Sequence, residues 1–125
     1  MISPLIYENS TMNLTYIADH YAVSPQIQIE DVATLKESGF IAIVCNRPDG
    51  EDDGQPSFAQ ISAEAKANGM GYIHLPMSGP IMTHDQLEQL EVFLDDNDGK
   101  VFSYCRSGNR SSIMYAALLE KCKSE

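Results

Sequence analysis

Short apolar runs rich in β-branched residues recur along the chain and predict buried strands. Phe40–Cys45 reads FIAIVC without a polar break, and residues 70–75 and 101–105 form two more such runs. Runs of this kind are typical of strands that are covered on both faces, as in a parallel sheet. Residues 21–23 predict a fourth, shorter strand.

Apolar positions at helical spacing lie between these runs. They predict helices over 30–37 and 57–68, a third after a capping-box pattern formed by Thr83 and Gln86, and a fourth after the loop CRSGNR. Strands that alternate with helices predict an α/β fold, a three-layer sandwich around a central, mostly parallel sheet. We expect one domain over 1–125, with 1–13 as a loose amino-terminal arm.

The charge of the chain changes the range of expected partners. Eight Lys and Arg stand against eighteen Asp and Glu, which gives a net charge of −10 over 125 residues. Such a surface repels polyphosphate chains and anionic lipid, so nucleic acid and membrane are not expected partners. No apolar run approaches the ~20 residues of a membrane span, and the first residues do not resemble a secretory signal. We expect a cytoplasmic protein.

The three cysteines do not form a metal-binding or disulfide pattern. Cys45, Cys105 and Cys122 include no CxxC pair and no cluster with histidine, so we expect no metal, no cofactor and no disulfide framework. Cys45 is interpreted as a core thiol, with a reversible disulfide to Cys105 as the alternative. Cys122 is predicted to pack within the core, because it lies on an apolar face of the last helix.

The segment from residue 101 to 112 carries the candidate chemistry. A predicted strand ends in Cys105, and a short loop containing Gly108 leads directly into a helix. The unpaired N–H groups of a helix start, together with loop amides, bind anions and lower the pKa of a thiol placed there. Arg110 can bind an oxyanion with two hydrogen bonds, and Ser111 can offer its hydroxyl to the thiolate. The pattern indicates a nucleophile that faces an anion site.

These residues resemble a known family. The stretches FIAIVCNRPDGEDDGQPSF, YIHLPMSG and YCRSGNRS are similar to the beta-lactamase-hydrolase-like (BLH) phosphatase domains of bacteria, within the cysteine-dependent phosphatase superfamily. The resemblance implies a fold like that of the dual-specificity phosphatases, with Cys105 as nucleophile and Arg110 as phosphate ligand. It also implies that the loop carrying Arg47 lies close to the site. The implied phosphate-binding loop includes Arg106, Ser107, Gly108, Asn109 and Ser111.

The loop is shorter than the resemblance leads one to expect. Phosphatase loops of that superfamily separate the cysteine and the arginine by one residue more than the four found between Cys105 and Arg110. Four residues, with Arg106 directly after the cysteine, resemble the loop of a rhodanese. A smaller ring could favour a persulfide sulfur over a tetrahedral phosphate, so sulfur transfer stays an alternative.

A general acid is missing from its expected place. Dual-specificity phosphatases carry an aspartate on the loop after the strand equivalent to residues 70–75, and here that loop reads PMSGP. Proton donation to a leaving group is worth about 10²–10⁴-fold in rate. Of the four carboxylates in the loop after Cys45, Asp49 is the predicted substitute acid. Arg47 is either a second anion ligand or the partner of Asp49 or Glu51 in an ion pair.

Three functions are compatible with these features. The first is a phosphatase-like hydrolase that forms a cysteinyl-phosphate on Cys105, acting on a phosphorylated substrate or another small oxyanion. The second is a rhodanese-like sulfurtransferase that carries a persulfide on the same sulfur. The third is a degenerate anion-binding module that retains the loop without turnover.

Overall fold

The computed structural model describes residues 13–124, and this part of the chain alternates strands and helices as the apolar runs predict. Its elements are Thr15–Ala18 (β1), Tyr21–Ser24 (β2), Asp31–Glu37 (α1), Phe40–Cys45 (β3), Phe58–Ala67 (α2), Gly71–His74 (β4), His84–Asp96 (α3), Lys100–Tyr104 (β5) and Asn109–Ser124 (α4).

The strands form one five-stranded sheet in the order β1-β2-β5-β3-β4. Only the pairing of β1 with β2 is antiparallel, and β2, β5, β3 and β4 run parallel. The carboxyl ends of these four strands lie level, because Tyr104 pairs with Ser24 on one side and with Cys45 on the other, and Cys45 pairs with His74. The residue after Tyr104 therefore lies at the middle of this edge.

Helices cover both faces of the sheet. Along β3, Ile43 and Cys45 pack with α1 and α2, whereas Ala42 and Val44 pack with α3 and α4. Successive side chains of a strand point to opposite faces, so a strand between two helical layers needs an unbroken apolar run. This confirms the predicted three-layer α/β sandwich.

Two helices begin at reciprocal caps that orient them on the sheet. The Ser57 hydroxyl accepts from the Gln60 N–H at the start of α2, and the Gln60 side chain accepts from the Ser57 N–H. Thr83 and Gln86 form the same capping box at α3, as predicted from the sequence. Each box satisfies two backbone donors that a helix start leaves unpaired.

The structure departs from the sequence predictions at two points. Strand β1 was not predicted, because its pattern TYIA is short and lies at the sheet edge with mostly exposed side chains. The prediction for Cys122 was wrong: the residue is exposed on α4, with its sulfur 4.0 Å from Glu91 Oε2. The predicted arm over 1–13 lies, apart from Asn13, outside the described residues.

Over the described part of the chain, no helix is long and apolar enough to cross a membrane.

Candidate active site

Cys105 follows the central strand β5, and its sulfur faces the loop that leads into α4. The Gly108 N–H donates to Cys105 Sγ over 3.0 Å. Gly108 has a φ of +94°, and a Cβ placed there would lie 3.4 Å from the carbonyl carbon of Ser24. A glycine is required because this φ is one that other residues rarely adopt. The turn at Gly108 thus aims a backbone donor at the thiol.

Backbone amides control the protonation of Cys105. Burial raises the pKa of the thiol, because it disfavours the charged form. Donation from the backbone N–H groups of Ser111, Ser107, Gly108 and Arg110 acts in the opposite direction and prevails. The pKa of Cys105 therefore lies below the ordinary value for a thiol, which favours the nucleophilic thiolate.

Arg110 projects from the first turn of α4 and is held by two flanking loops. Its Nη1 and Nη2 donate to the two carboxylate oxygens of Glu51 over 2.9 and 2.8 Å. Nη1 also donates to the Met77 carbonyl oxygen over 2.7 Å. The pKa of Arg110 is raised, chiefly by the Glu51 carboxylate and in smaller part by the Cys105 sulfur. The Arg110 guanidinium and the Cys105 sulfur therefore interact electrostatically.

The other two arginines join the same network. Arg47 is 3% exposed, and its Nε donates to Glu51 Oε1 over 2.9 Å while its Nη2 donates to Asp52 Oδ2 over 2.7 Å. Arg106 is largely exposed and lies 3.3 Å from the same Asp52 oxygen. Of the two predicted roles for Arg47, the structure therefore shows the ion pair with Glu51. Hydrogen bonding from Arg110 and then from Arg47 lowers the pKa of Glu51 to about 2 against partial burial.

Asn46 fixes the loop that contacts Arg110 from the other side, and sequence reasoning missed it. Its side-chain amide donates to the Leu75 carbonyl over 2.9 Å, and its backbone carbonyl accepts from the Met77 N–H over 3.0 Å. The residue is fully buried. A polar residue directly after the apolar run of β3 was the available signal, since a buried amide needs specific partners.

Asp49, the predicted acid, contacts the start of a helix. Its Oδ1 accepts from the Phe58 N–H over 2.8 Å, at the first turn of α2. The loop after β3 thus divides its carboxylates between two tasks: Asp49 contacts a helix start, whereas Glu51 and Asp52 contact the arginines. An acid role for Asp49 stays a prediction.

The remaining predicted loop residues surround Cys105 in different ways. Ser111 is fully buried, and its hydroxyl has no hydrogen-bond partner among the described residues. The Ser107 hydroxyl accepts from the Asn109 N–H over 3.3 Å, and both residues are exposed. The structure therefore brings Cys105, Arg106, Arg110 and Arg47 into one region at the carboxyl edge of the sheet, together with Glu51 and Asp52.

Cys45 lies one strand away and shows a contrasting environment. Its Sγ donates to the Arg47 carbonyl oxygen over 3.4 Å. Burial raises the pKa of this thiol to about 11. Cys45 is buried, as expected for a core thiol, and both Cys45 and Cys105 are free cysteines in the structure. The reversible disulfide stays an alternative.

Comparison with known proteins supports the fold and shows the family of the chain. The family model of the beta-lactamase hydrolase-like protein, phosphatase-like domain, matches residues 13–120. The chain belongs to this family. The beta-lactamase hydrolase-like protein of Agrobacterium fabrum is 34% identical over 104 residues, which are 83% of this chain and 24% of that protein. Its counterpart in Xylella fastidiosa is 28% identical over 105 residues, or 84% of this chain and 24% of that protein.

This phosphatase-like domain thus spans about a quarter of the length of the curated relatives it matches. Among solved structures, a Neisseria meningitidis protein named provisionally as a phosphatase has a TM-score of 0.71 and 31% identity, covering 80% of this chain and 71% of that one. The kinase associated phosphatase has a TM-score of 0.73 at 15% identity, covering 90% of this chain and 75% of that one. At that identity the likeness shows the fold alone.

Proposed function

We propose that this domain is a cysteine-dependent phosphatase in which Cys105 forms a covalent cysteinyl-phosphate. The observation that carries the proposal is the ring of backbone N–H groups around Cys105 Sγ, with Gly108 N at 3.0 Å. The ring stabilises a thiolate in the free domain. The same donors suit the equatorial oxygens of a phosphoryl group in transfer.

The reaction has two displacements. The Cys105 thiolate attacks phosphorus, a phosphorus–sulfur bond forms, and the bond to the leaving oxygen breaks. Water then attacks phosphorus, the phosphorus–sulfur bond breaks, and inorganic phosphate leaves with the thiolate restored. Arg110 and the loop amides hold the oxygens throughout, and the buried Ser111 hydroxyl is available to donate to the thiolate as it leaves.

The missing acid restricts the substrates that turn over well. Glu51 has a pKa of about 2, so it is ionised near neutral pH and has no proton to donate. The loop Pro76–Pro80 carries no carboxylate. We therefore propose that the domain prefers leaving groups that depart as stable anions, such as phenolates, over alkoxides.

Asp49 is the substitute acid to test. Its replacement by Asn would steepen the dependence of kcat/KM on leaving-group pKa if Asp49 donates the proton.

The direct test is hydrolysis of p-nitrophenyl phosphate in the presence of EDTA, with acid quenching and peptide mass spectrometry. We expect turnover without a divalent ion and one phosphoryl group on the peptide that contains Cys105. The matched control, Cys105→Ser, should show neither. Activity that persists in Cys105→Ser would overturn the assignment.

A rhodanese-like sulfurtransferase remains the second candidate, because only four residues separate Cys105 from Arg110. In that reaction the thiolate would attack the outer sulfur of thiosulfate and release sulfite, which leaves a persulfide on Cys105. A nucleophilic acceptor would then take the outer sulfur, breaking the S–S bond and restoring the thiolate. Thiocyanate formation from thiosulfate and cyanide, with one added sulfur on Cys105, would favour it. Oxyanion binding without turnover of either substrate would instead favour the degenerate anion-binding module.

The ligand and the cellular compartment that we propose are argued from the chemistry of Cys105 and Arg110. We propose a phosphorylated substrate or another small oxyanion as the ligand, since one thiolate and one guanidinium edge match a single tetrahedral group. A reducing compartment such as the cytoplasm would keep Cys105 free, because an ionised thiol oxidises readily.

A further inference from the structure

We infer that Glu51 is the positioning residue of this site: it holds the Nη1–Nη2 edge of the Arg110 guanidinium so that the adjacent Nε–Nη2 edge is left for an oxyanion at Cys105. The inference rests on the proposed function. Glu51 lies in the loop after β3, 59 residues before Arg110 in the chain.

The hydrogen bonds of Arg110 define which edge is used. A guanidinium has five N–H donors in a fixed plane. The Glu51 carboxylate takes one donor from Nη1 and one from Nη2, and the Met77 carbonyl accepts from Nη1 as well. Within the described residues, no oxygen acceptor is recorded for Nε or for the second Nη2 hydrogen.

Nε–H and the second Nη2–H lie in the guanidinium plane and point in the same direction along one edge. They form a two-pronged donor that matches two oxygens of a phosphate. The Cys105 sulfur acts on the same guanidinium. The free edge of Arg110 and the nucleophile therefore serve the same incoming group.

Glu51 is itself fixed from behind. Its Oε1 accepts from Arg47 Nε over 2.9 Å, and Arg47 is anchored further by Asp52 and by Gln26 Oε1 at 3.0 Å. Arg47 is 3% exposed, so this anchor has little freedom to move. The buried guanidinium thus serves as a rigid support for the carboxylate, which in turn orients the arginine at the site.

Loss of this contact should weaken oxyanion binding. In Glu51→Gln, one carboxylate oxygen becomes an NH2 donor and the charge is lost, so Arg110 can rotate away from Cys105. We expect the KM for p-nitrophenyl phosphate and the Kd for tungstate to rise by about tenfold to a hundredfold, the scale of misplacing one binding group. Asp53→Asn removes one charge from the same loop without touching an arginine and should change neither value.

A double-mutant cycle separates positioning from a general structural role. If Glu51 acts through Arg110, Glu51→Gln should add less than about twofold to the tungstate Kd in an Arg110→Lys background. Full additivity of the two losses would overturn the inference.

The outcomes distinguish the two proposals. If the wild type hydrolyses p-nitrophenyl phosphate and Glu51→Gln has the same KM and the same tungstate Kd, positioning is refuted and the phosphatase proposal stays intact. Absence of turnover, combined with tungstate binding that depends on Glu51, would refute the phosphatase proposal and support positioning. If Glu51→Gln does not fold, Glu51→Asp takes its place. This variant keeps the charge but is too short to reach both arginines, and an unchanged tungstate Kd would then refute positioning.

Discussion

Two buried cysteines end neighbouring parallel strands of this domain, and their thiols have opposite properties. Cys105 follows β5 and has a lowered pKa, whereas Cys45 ends β3 and has a pKa raised to about 11. Burial raises the pKa of both. The difference comes from the backbone N–H groups that follow β5: several of them donate to Cys105 Sγ and prevail over burial, whereas burial prevails at Cys45. A strand end therefore does not activate a thiol unless the next residues turn their N–H groups toward it.

The largest expected effect is the contrast between substitutions of the two cysteines. Cys105→Ser should lower kcat/KM for p-nitrophenyl phosphate by at least about 10³-fold, because it removes the proposed nucleophile. Cys45→Ala should keep kcat/KM within about threefold and cost about 1–2 kcal/mol of unfolding free energy, because it leaves a small cavity. Steady-state kinetics and urea unfolding measure the two quantities. Equal losses of activity would contradict the contrast.

The next effect is on ionisation itself. Thiolates absorb in the ultraviolet, so difference titrations against Cys105→Ser and Cys45→Ala report the two groups separately. We expect the Cys105 difference to titrate below the ordinary thiol range, because the amide ring favours the charged form. The absorbance difference between the wild type and Cys45→Ala should appear only at strongly alkaline pH. Overlapping curves would mean that the amide ring does not act on Cys105 in solution.

Gly108→Ala sharpens the comparison by disturbing one site only. At a φ of +94° an alanine is strained, although its Cβ would meet the Ser24 backbone only at ordinary contact distance, 3.4 Å or more. The Gly108 N–H should turn away from the sulfur, and loss of this donor should raise the pKa of Cys105. We expect kcat/KM to fall by about tenfold to a hundredfold, as when one donor of an oxyanion site is lost. The same titrations should show Cys45 unchanged. A shift of both thiols would point to general unfolding.

The smallest expected effect is on the pH dependence of stability and concerns Glu51, which contacts both Arg47 and Arg110 and so joins the surroundings of the two cysteines. Its pKa is lowered from 4.5 to about 2, first by Arg110, so the folded state binds fewer protons there than the unfolded state. The stability it contributes is present above its unfolded pKa and is lost as pH falls from about 4.5 toward about 2. Urea unfolding of the wild type and Glu51→Gln should give a constant difference near neutral pH that shrinks over that range.

Much of the fold was predictable, because its signals are local. The run Phe40–Cys45 matches β3 at both ends, and Thr83 with Gln86 caps α3 as the spacing indicates. Strand β1 escaped prediction since an exposed edge strand of four residues has no apolar run. The exposure of Cys122 escaped for a related reason: helical spacing near the end of α4 does not tell whether a neighbouring element covers that turn.

The amino-acid sequence alone determined the order strand, cysteine, glycine loop, arginine and helix over residues 101–112. This order is enough to indicate an anion site because loop amides and a helix start act over a few residues. Only the tertiary structure decided that Glu51, and not Asp49, meets Arg110, and that Asn46 holds the Met77 carbonyl beside it. Three carboxylates within four positions of one loop look alike in sequence. Their partners depend on how the carboxyl ends of separate strands meet, and local spacing does not encode that.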